Sequence, residues 1–274
     1  MADCKPKKPK NRPSLLASDL DGTLIPLNGN EASKDALLQL DALLQAGSIP
    51  LAFVTGRHFD SIRRAMADYS LPRPDWIISD VGTTVYRREG DDFHESDAYK
   101  ARLSAVTGGV SGSKLMPYFE SIPGLRLQED PKQGAFKLSY YVDANEAEAL
   151  GSTLASRLRS EDLPYHTVVS IDPFNGDGLI DLLPLGVSKA FALEWLGEAL
   201  GLQKESIVFA GDSGNDYAAL VAGFCAILVG NASADVRERV RGAHREAGLE
   251  GCLYCASGQS TCGVLEGARH YGLF

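Results

Sequence analysis

The chain has 274 residues, 44% hydrophobic and 23% charged, with a formal net charge of −9, enough to bury one large core or two small ones. The acidic balance argues against a nucleic-acid surface, which needs a basic face, and no run of 18 apolar residues offers a membrane span. Five cysteines are an odd count and suit reduced thiols in a cytoplasmic protein.

Residues 1–13 carry Lys5, Lys7, Lys8, Lys10 and Arg12 among prolines with no apolar stretch behind them. They are no secretory signal and read as a disordered basic tail. Leu15 to Asp19 reads as a strand, and residues 32–45 as an amphipathic helix with leucines at 37, 40, 43 and 44, closed by Gly47. A buried strand follows at 49–55, then a helix through Ile62, Ala65 and Met66, a strand at 75–80, and a hairpin turning at Gly90 and Asp91.

Residues 97–183 differ. They hold helical patterns at 113–120 and 145–160 and strands that alternate, Phe136, Leu138 and Tyr140 opposing Lys137, Ser139 and Tyr141. "YHTVVSI" and "LIDLLP" are further strands. Past residue 185, "SKAFALEWLGEAL" is a helix, "SIVFAG" a strand, "DYAALVAG" a short helix and "FCAILVG" a strand. The helix "SADVRERVRGAH", the strand "GCLYCA" and the helix "GVLEGARHYG" complete the series. Continuous apolar strands between helices predict an α/β class. The pattern predicts a Rossmann-like parallel sheet core with helices on both faces, over 14–96 and 184–274, with an α+β module inserted over 97–183.

"SDLDGTLIP" sets Asp19 and Asp21 where the first strand ends, the end at which open α/β sheets bind ligands. Two carboxylates about 4 Å apart repel by roughly 4 kcal/mol at an effective dielectric of about 20. A metal ion, a shared proton or solvation in an ordinary Asp-Gly turn would each offset that. "VFAGDSGND" places Asp212 and Asp216 after another apolar strand, with Asn215 between them. If the two strands are neighbours, four aspartates converge, a concentration of charge that suits Mg²⁺. Thr55 and the N–H of Gly56 follow the second strand, and Lys189 opens a late helix. Each is a phosphate partner in type, although taken singly Thr55 reads first as a helix N-cap and Lys189 as a solvated lysine. In "GCLYCASGQSTC", Cys252, Cys255 and Cys262 are structural thiols or, with His270 as a fourth ligand, a metal or redox group.

"DLDGTL", "VTGR", Lys189 and "GDSGND" occur in the order of the four motifs of the haloacid dehalogenase superfamily of phosphotransferases, which the chain resembles over its whole core. The insert sits where type II members carry their cap. "ISDVGTTVY", "LLPLGVSKAFAL" and "GVLEGARHYG" resemble the sucrose-phosphate phosphatase and mannosylfructose-phosphate phosphatase group. That resemblance implies Mg²⁺-dependent hydrolysis of a sugar phosphate monoester through an aspartyl-phosphate. Asp19 would be the nucleophile and Asp21 the acid and base. Asp19, Asp21 through its carbonyl, and Asp212 would form the metal set, with Asp216 orienting that shell or Lys189. Thr55, Gly56, Lys189 and Asn215 would hold phosphate or substrate, and the cap would choose the sugar. There Lys132 and Gln133, around Gly134, read as sugar contacts or as a solvated turn. A phosphomannomutase, or another sugar- or trehalose-phosphate phosphatase, shares the same motifs; a scaffold protein that had lost catalysis would not keep them all. Monomer and homodimer both remain open.

Overall fold

A computed structural model describes residues 14–27, 31–171 and 176–274. The expected basic tail at 1–13, and Cys4 with it, lies outside them. In chain order the described elements are β1 (Leu15–Ser18), α1 (Glu31–Gly47), β2 (Leu51–Val54), α2 (Phe59–Asp68), β3 (Trp76–Ser79), β4 (Thr84–Glu89) and β5 (Asp92–Glu95). Next come α3 (Asp97–Val106), β6 (Arg126–Leu127), β7 (Leu138–Val142), α4 (Ala147–Ser160), β8 (Tyr165–Ile171) and β9 (Gly178–Pro184). The last series is α5 (Lys189–Leu200), β10 (Ile207–Gly211), α6 (Tyr217–Leu220), β11 (Cys225–Leu228), α7 (Ala234–Glu246), β12 (Leu253–Cys255) and α8 (Ser260–His270). Among the described residues, no helix is long and apolar enough to cross a membrane.

Two compact units result, one of them Ser96–Val187 and the other built from the chain on either side of it. The flanking unit is one eight-stranded sheet of order β12-β11-β10-β1-β2-β3-β4-β5. Its strands are parallel from β12 to β3, and the β4–β5 hairpin adds antiparallel strands at one edge. The runs LLAS, LAFV and IVFAG are buried at every position, as a sheet covered on both faces requires. In α1, Ala36, Leu37, Leu40 and Leu44 face inward while Leu38 is exposed, a helical stripe that packs against α8. The α/β class and the parallel core stand as expected.

The order of the strands positions the site. Ser18 of β1 pairs with Ala210 of β10 on one side and Phe53 of β2 on the other. The loops that follow these three strands therefore leave the same edge of the sheet side by side. The third strand ends one residue early, at Ser79, because Asp80 and Val81 turn into the left-handed region at φ 51° and 58°. That region is strained for a β-branched residue. The turn is held by Asp80 N–H donating to Arg57 O and Val81 N–H to Thr55 O. It lies against the start of α5, since a Cβ on Gly82 would meet Ser188 O at 2.3 Å.

The unit Ser96–Val187 is an antiparallel sheet of order β6-β7-β9-β8 with α4 packed on β8 and β9. Leu138, Tyr140, Val142, Leu154, Leu158, Ile180 and Leu182 form its core. Two expectations are corrected here. The helix foreseen at 113–120 is a 3-10 helix over Gly112–Tyr118, shortened by Pro117, which cannot donate to an α-helical ladder. The strand at 136–142 does not alternate between buried and solvated faces, because Lys137 and Ser139 are as buried as Leu138. Asp181 on the neighbouring strand accounts for that: it accepts a hydrogen bond from Ser139 Oγ at 2.5 Å and lies 3.7 Å from Lys137 Nζ.

Candidate active site

Asp19 extends β1 by one ladder bond, its N–H donating to Ala210 O at 3.0 Å. The chain then closes a tight loop in which Ile25 and Thr23 N–H groups donate to Leu20 O. Gly22, at φ 81°, lets this loop touch the one after β10; a Cβ there would lie 2.4 Å from Asp212 Oδ2. Thr23 Oγ1 donates to Asp212 Oδ1 at 3.0 Å, and Asn231 Nδ2 donates to Gly22 O at 2.9 Å.

Lys189 joins the two loops. Ser188 caps α5 by accepting the Phe191 N–H, which starts the helix so that Lys189 stands in its first turn, wholly buried. Its Nζ donates to Asp19 Oδ1 at 2.7 Å, Asp216 Oδ1 at 2.6 Å and Asn215 Oδ1 at 3.2 Å. Asp216 Oδ2 in turn accepts the N–H groups of Asp212 and Ser213 at 3.0 and 3.1 Å. Both oxygens of Asp216 are thus engaged, one by the lysine and one by the loop it shapes.

Charge does not balance in this cluster. Three carboxylates, of Asp19, Asp212 and Asp216, face one ammonium, and they offer oxygens within 4.8 Å of one another. Burial holds the Asp19 carboxyl up to about 8 despite the pull of Lys189, with Asp216 and Asp212 adding to the rise. Burial and Asp216 push Asp212 up to about 6 against the Thr23 hydrogen bond. Lys189 is held above its usual value, since Asp19 and Asp216 outweigh the cost of its burial. A buried excess of carboxylate oxygen at this spacing fits a hard divalent cation such as Mg²⁺.

Asp21 stands apart from that cluster. Its carboxylate takes a two-point grip from Arg57, Nε to Oδ2 at 2.7 Å and Nη2 to Oδ1 at 2.6 Å. Arg57 follows Thr55 and Gly56 beyond β2. Thr55 is buried, and its Oγ1 accepts the Arg57 N–H at 3.2 Å.

The fold therefore brings Asp19, Asp212, Asn215, Asp216 and Lys189 into contact and sets Asp21 and Thr55 around Arg57. Lys132 and Gln133 belong to the other unit, and local bonds occupy them. Lys132 donates to the Tyr141 hydroxyl and pairs with Glu129 at 3.4 Å. Gln133 Nε2 donates to the carbonyls of Gln128 and Ser139 while its Oε1 accepts the Ser139 N–H. That amide, read from sequence as a sugar contact or as part of a solvated turn, is bonded to the backbone around it. Among the described residues no cysteine joins a group able to hold a metal, and His270, offered as a fourth ligand, stacks on Tyr254 with centroids 4.2 Å apart.

Sequence reasoning missed Arg57 and Asn231. Arg57 lies inside "VTGR", directly after Thr55 and Gly56. Asn231 lies in the loop after β11, one more strand end on the same edge of the sheet, and that position is the signal the sequence offers.

Residues 12–272 match the family described as Sucrose-6F-phosphate phosphohydrolase. A HAD-like hydrolase of Nitrosococcus oceani is 40% identical over 267 residues, covering 94% of this chain and 71% of that protein. The mannosylfructose-phosphate phosphatase of Agrobacterium fabrum is 30% identical over 260 residues, covering 94% of this chain and 97% of that one. Among solved structures, the sucrose-phosphatase of Synechocystis sp. in complex with sucrose and phosphate matches with a TM-score of 0.74 at 25% identity, over 95% of this chain and 98% of that one.

Proposed function

The chain belongs to the sucrose-6F-phosphate phosphohydrolase family of phosphoric monoester hydrolases, and from that premise we propose that it releases phosphate from a disaccharide phosphate with Asp19 as nucleophile. The observation that carries the reading is the buried Lys189 ammonium, which touches Asp19, Asn215 and Asp216 at once and so ties the ends of β1 and β10 into one centre.

Asp19 attacks phosphorus and the sugar oxygen leaves, which yields an aspartyl-phosphate. The Asp21 carboxyl gives the departing oxygen its proton and later takes one from the water that attacks the aspartyl-phosphate. Thr55 Oγ1, the Gly56 N–H, Lys189 and the Asn215 amide hold the phosphoryl oxygens and stabilise the charge spread over them in the transition state. Asp19 and Asp212 carboxylates with the Asp21 carbonyl would hold Mg²⁺, which neutralises charge on the phosphoryl group when bound. Asp216 holds Lys189 and the backbone of the Asp212 loop in place.

The unit Ser96–Val187 is assigned the choice of sugar, because every residue named in this chemistry lies outside it. A cytoplasmic setting is in keeping with the free thiols of Cys225, Cys252, Cys255 and Cys262. The test is a phosphate-release screen over sucrose 6-phosphate, mannosylfructose phosphate and simple hexose phosphates, with and without Mg²⁺. Mg²⁺-dependent release from one disaccharide phosphate supports the reading. Transfer of phosphate between positions of one sugar, with none released, would make the protein a mutase.

A further inference from the structure

The chemistry above asks the Asp21 carboxyl to carry protons twice, yet both its oxygens are occupied. Nε and Nη2 of Arg57 reach them at 2.7 and 2.6 Å, the parallel fork with which a guanidinium grips a carboxylate. Nη1 donates to Ser61 Oγ at 3.2 Å and steadies the fork from behind. With an N–H on each oxygen, neither is turned outward to meet the oxygen of a leaving sugar.

The pair is placed where it can be broken. Its side chains are 21% and 36% exposed, against 0% and 5% for Lys189 and Asp19. Arg57 continues the Thr55–Gly56 loop assigned to the phosphoryl oxygens, and its own N–H is bonded to Thr55 Oγ1. The Asp21 hydrogen bond is the main influence raising the Arg57 pKa, and the Asp19 charge contributes to the same rise, so the guanidinium lies within electrostatic reach of the attacking carboxylate. Carboxylate and phosphate are the two anions that this fork fits.

We propose that Arg57 is an exchangeable anion clamp, which grips the Asp21 carboxylate when no phosphate is bound and passes its guanidinium to phosphoryl oxygens when a phosphate monoester enters, freeing Asp21 for proton transfer. The proposal rests on the phosphatase reading of the site. The exchange conserves hydrogen bonds, since two N–H groups leave one anion for another, and it makes acid–base readiness conditional on substrate.

The test is calorimetric binding of inorganic phosphate in the presence of MgCl₂ to the intact wild type, Asp21→Asn, Arg57→Ala, Arg57→Lys and the double variant Asp21→Asn/Arg57→Ala. Phosphate release from monoesters by the wild type is measured alongside. Freeing the guanidinium by Asp21→Asn should tighten phosphate about tenfold, and Arg57→Ala should weaken it about tenfold, in line with charge-assisted bonds. In the double variant the gain from Asp21→Asn should vanish, and Arg57→Lys, which keeps the charge without the fork, should behave as Arg57→Ala. Should the gain persist in the Arg57→Ala background, removal of one negative charge explains it and the clamp is overturned. Equal phosphate binding by wild type and Arg57→Ala overturns it as well. A wild type that releases phosphate from no monoester overturns the phosphatase reading instead.

Discussion

Lys189 Nζ lies 2.7 Å from Asp19 Oδ1 although 170 residues separate them in the chain, and the pair is almost wholly dry. A buried ion pair gives weak net stability, but removing one partner leaves charge uncompensated, at roughly 3–5 kcal/mol. Here one ammonium faces three carboxylates. Lys189→Met should therefore lower the stability of the metal-free protein by an amount on that order, and MgCl₂ should restore part of it. Urea unfolding with and without Mg²⁺ measures both. Unchanged stability would mean that the carboxylates carry no charge when the lysine is absent.

Asp19→Asn should act in opposite directions on activity and stability. In its proposed role as nucleophile Asp19 has no substitute, so kcat should fall by more than about 10³-fold, as for nucleophile deletions elsewhere. The folded-state carboxyl sits at about 8, above its ordinary 3.8, chiefly through burial. The folded chain therefore binds more protons than the unfolded one between those values, and this group's contribution to stability is lost as pH rises from about 4 to about 8. Asparagine removes that dependence. At pH 8 the metal-free variant should melt no lower than wild type, and a lower melting temperature would contradict the assigned charge imbalance.

Mg²⁺ affinity should follow the same titration. Burial holds the Asp19 carboxyl up to about 8, so cation binding, which needs the ionised form, competes with protons near neutral pH. Affinity should rise by up to about tenfold per pH unit from 6 to 8 and flatten above. Calorimetry in buffers of different ionisation enthalpy should find a net release of protons on cation binding at pH 7. Proton release of zero would place the cation away from Asp19.

What the sequence revealed and what it hid divide along a physical line. The runs around Leu15, Leu51 and Ile207 declare buried strands because no polar residue interrupts them. Asp19, Thr55, Lys189 and Asp212 declare themselves by standing where strands end or a helix begins. The pairing of Ser18 with Ala210 is a long-range choice that no local pattern encodes, and the contact of Lys189 with both aspartates depends on it. Arg57 reads locally as a solvated arginine; only the adjacency of β1 and β2 brings it onto Asp21. Val81 at a positive φ runs against its residue type and could be found only in the folded backbone. Gln133 reads locally as a side chain in a turn, while its backbone partners, Gln128 and Ser139, lie on either side of that turn.

That last difference separates two neighbouring side chains in one experiment. The Gln133 amide makes three bonds to the backbone around β7, and buried N–H and C=O groups left without partners cost roughly 1–3 kcal/mol. Gln133→Ala should accordingly lower the melting temperature and affect kcat/KM alike for a sugar phosphate and for a small aryl phosphate. Lys132 is about a third exposed and pairs with Glu129 and Tyr141 at the surface, where such pairs contribute only about 0–1 kcal/mol. Lys132→Ala should leave the melting temperature within a degree or two. If its ammonium also meets the sugar, kcat/KM for the disaccharide phosphate should fall up to about tenfold for each ~1.4 kcal/mol lost, with the aryl phosphate unchanged. Lys132→Ala with both substrates unaffected would assign the lysine to its surface pair alone, and a stable, sugar-selective defect in Gln133→Ala would return that residue to the substrate.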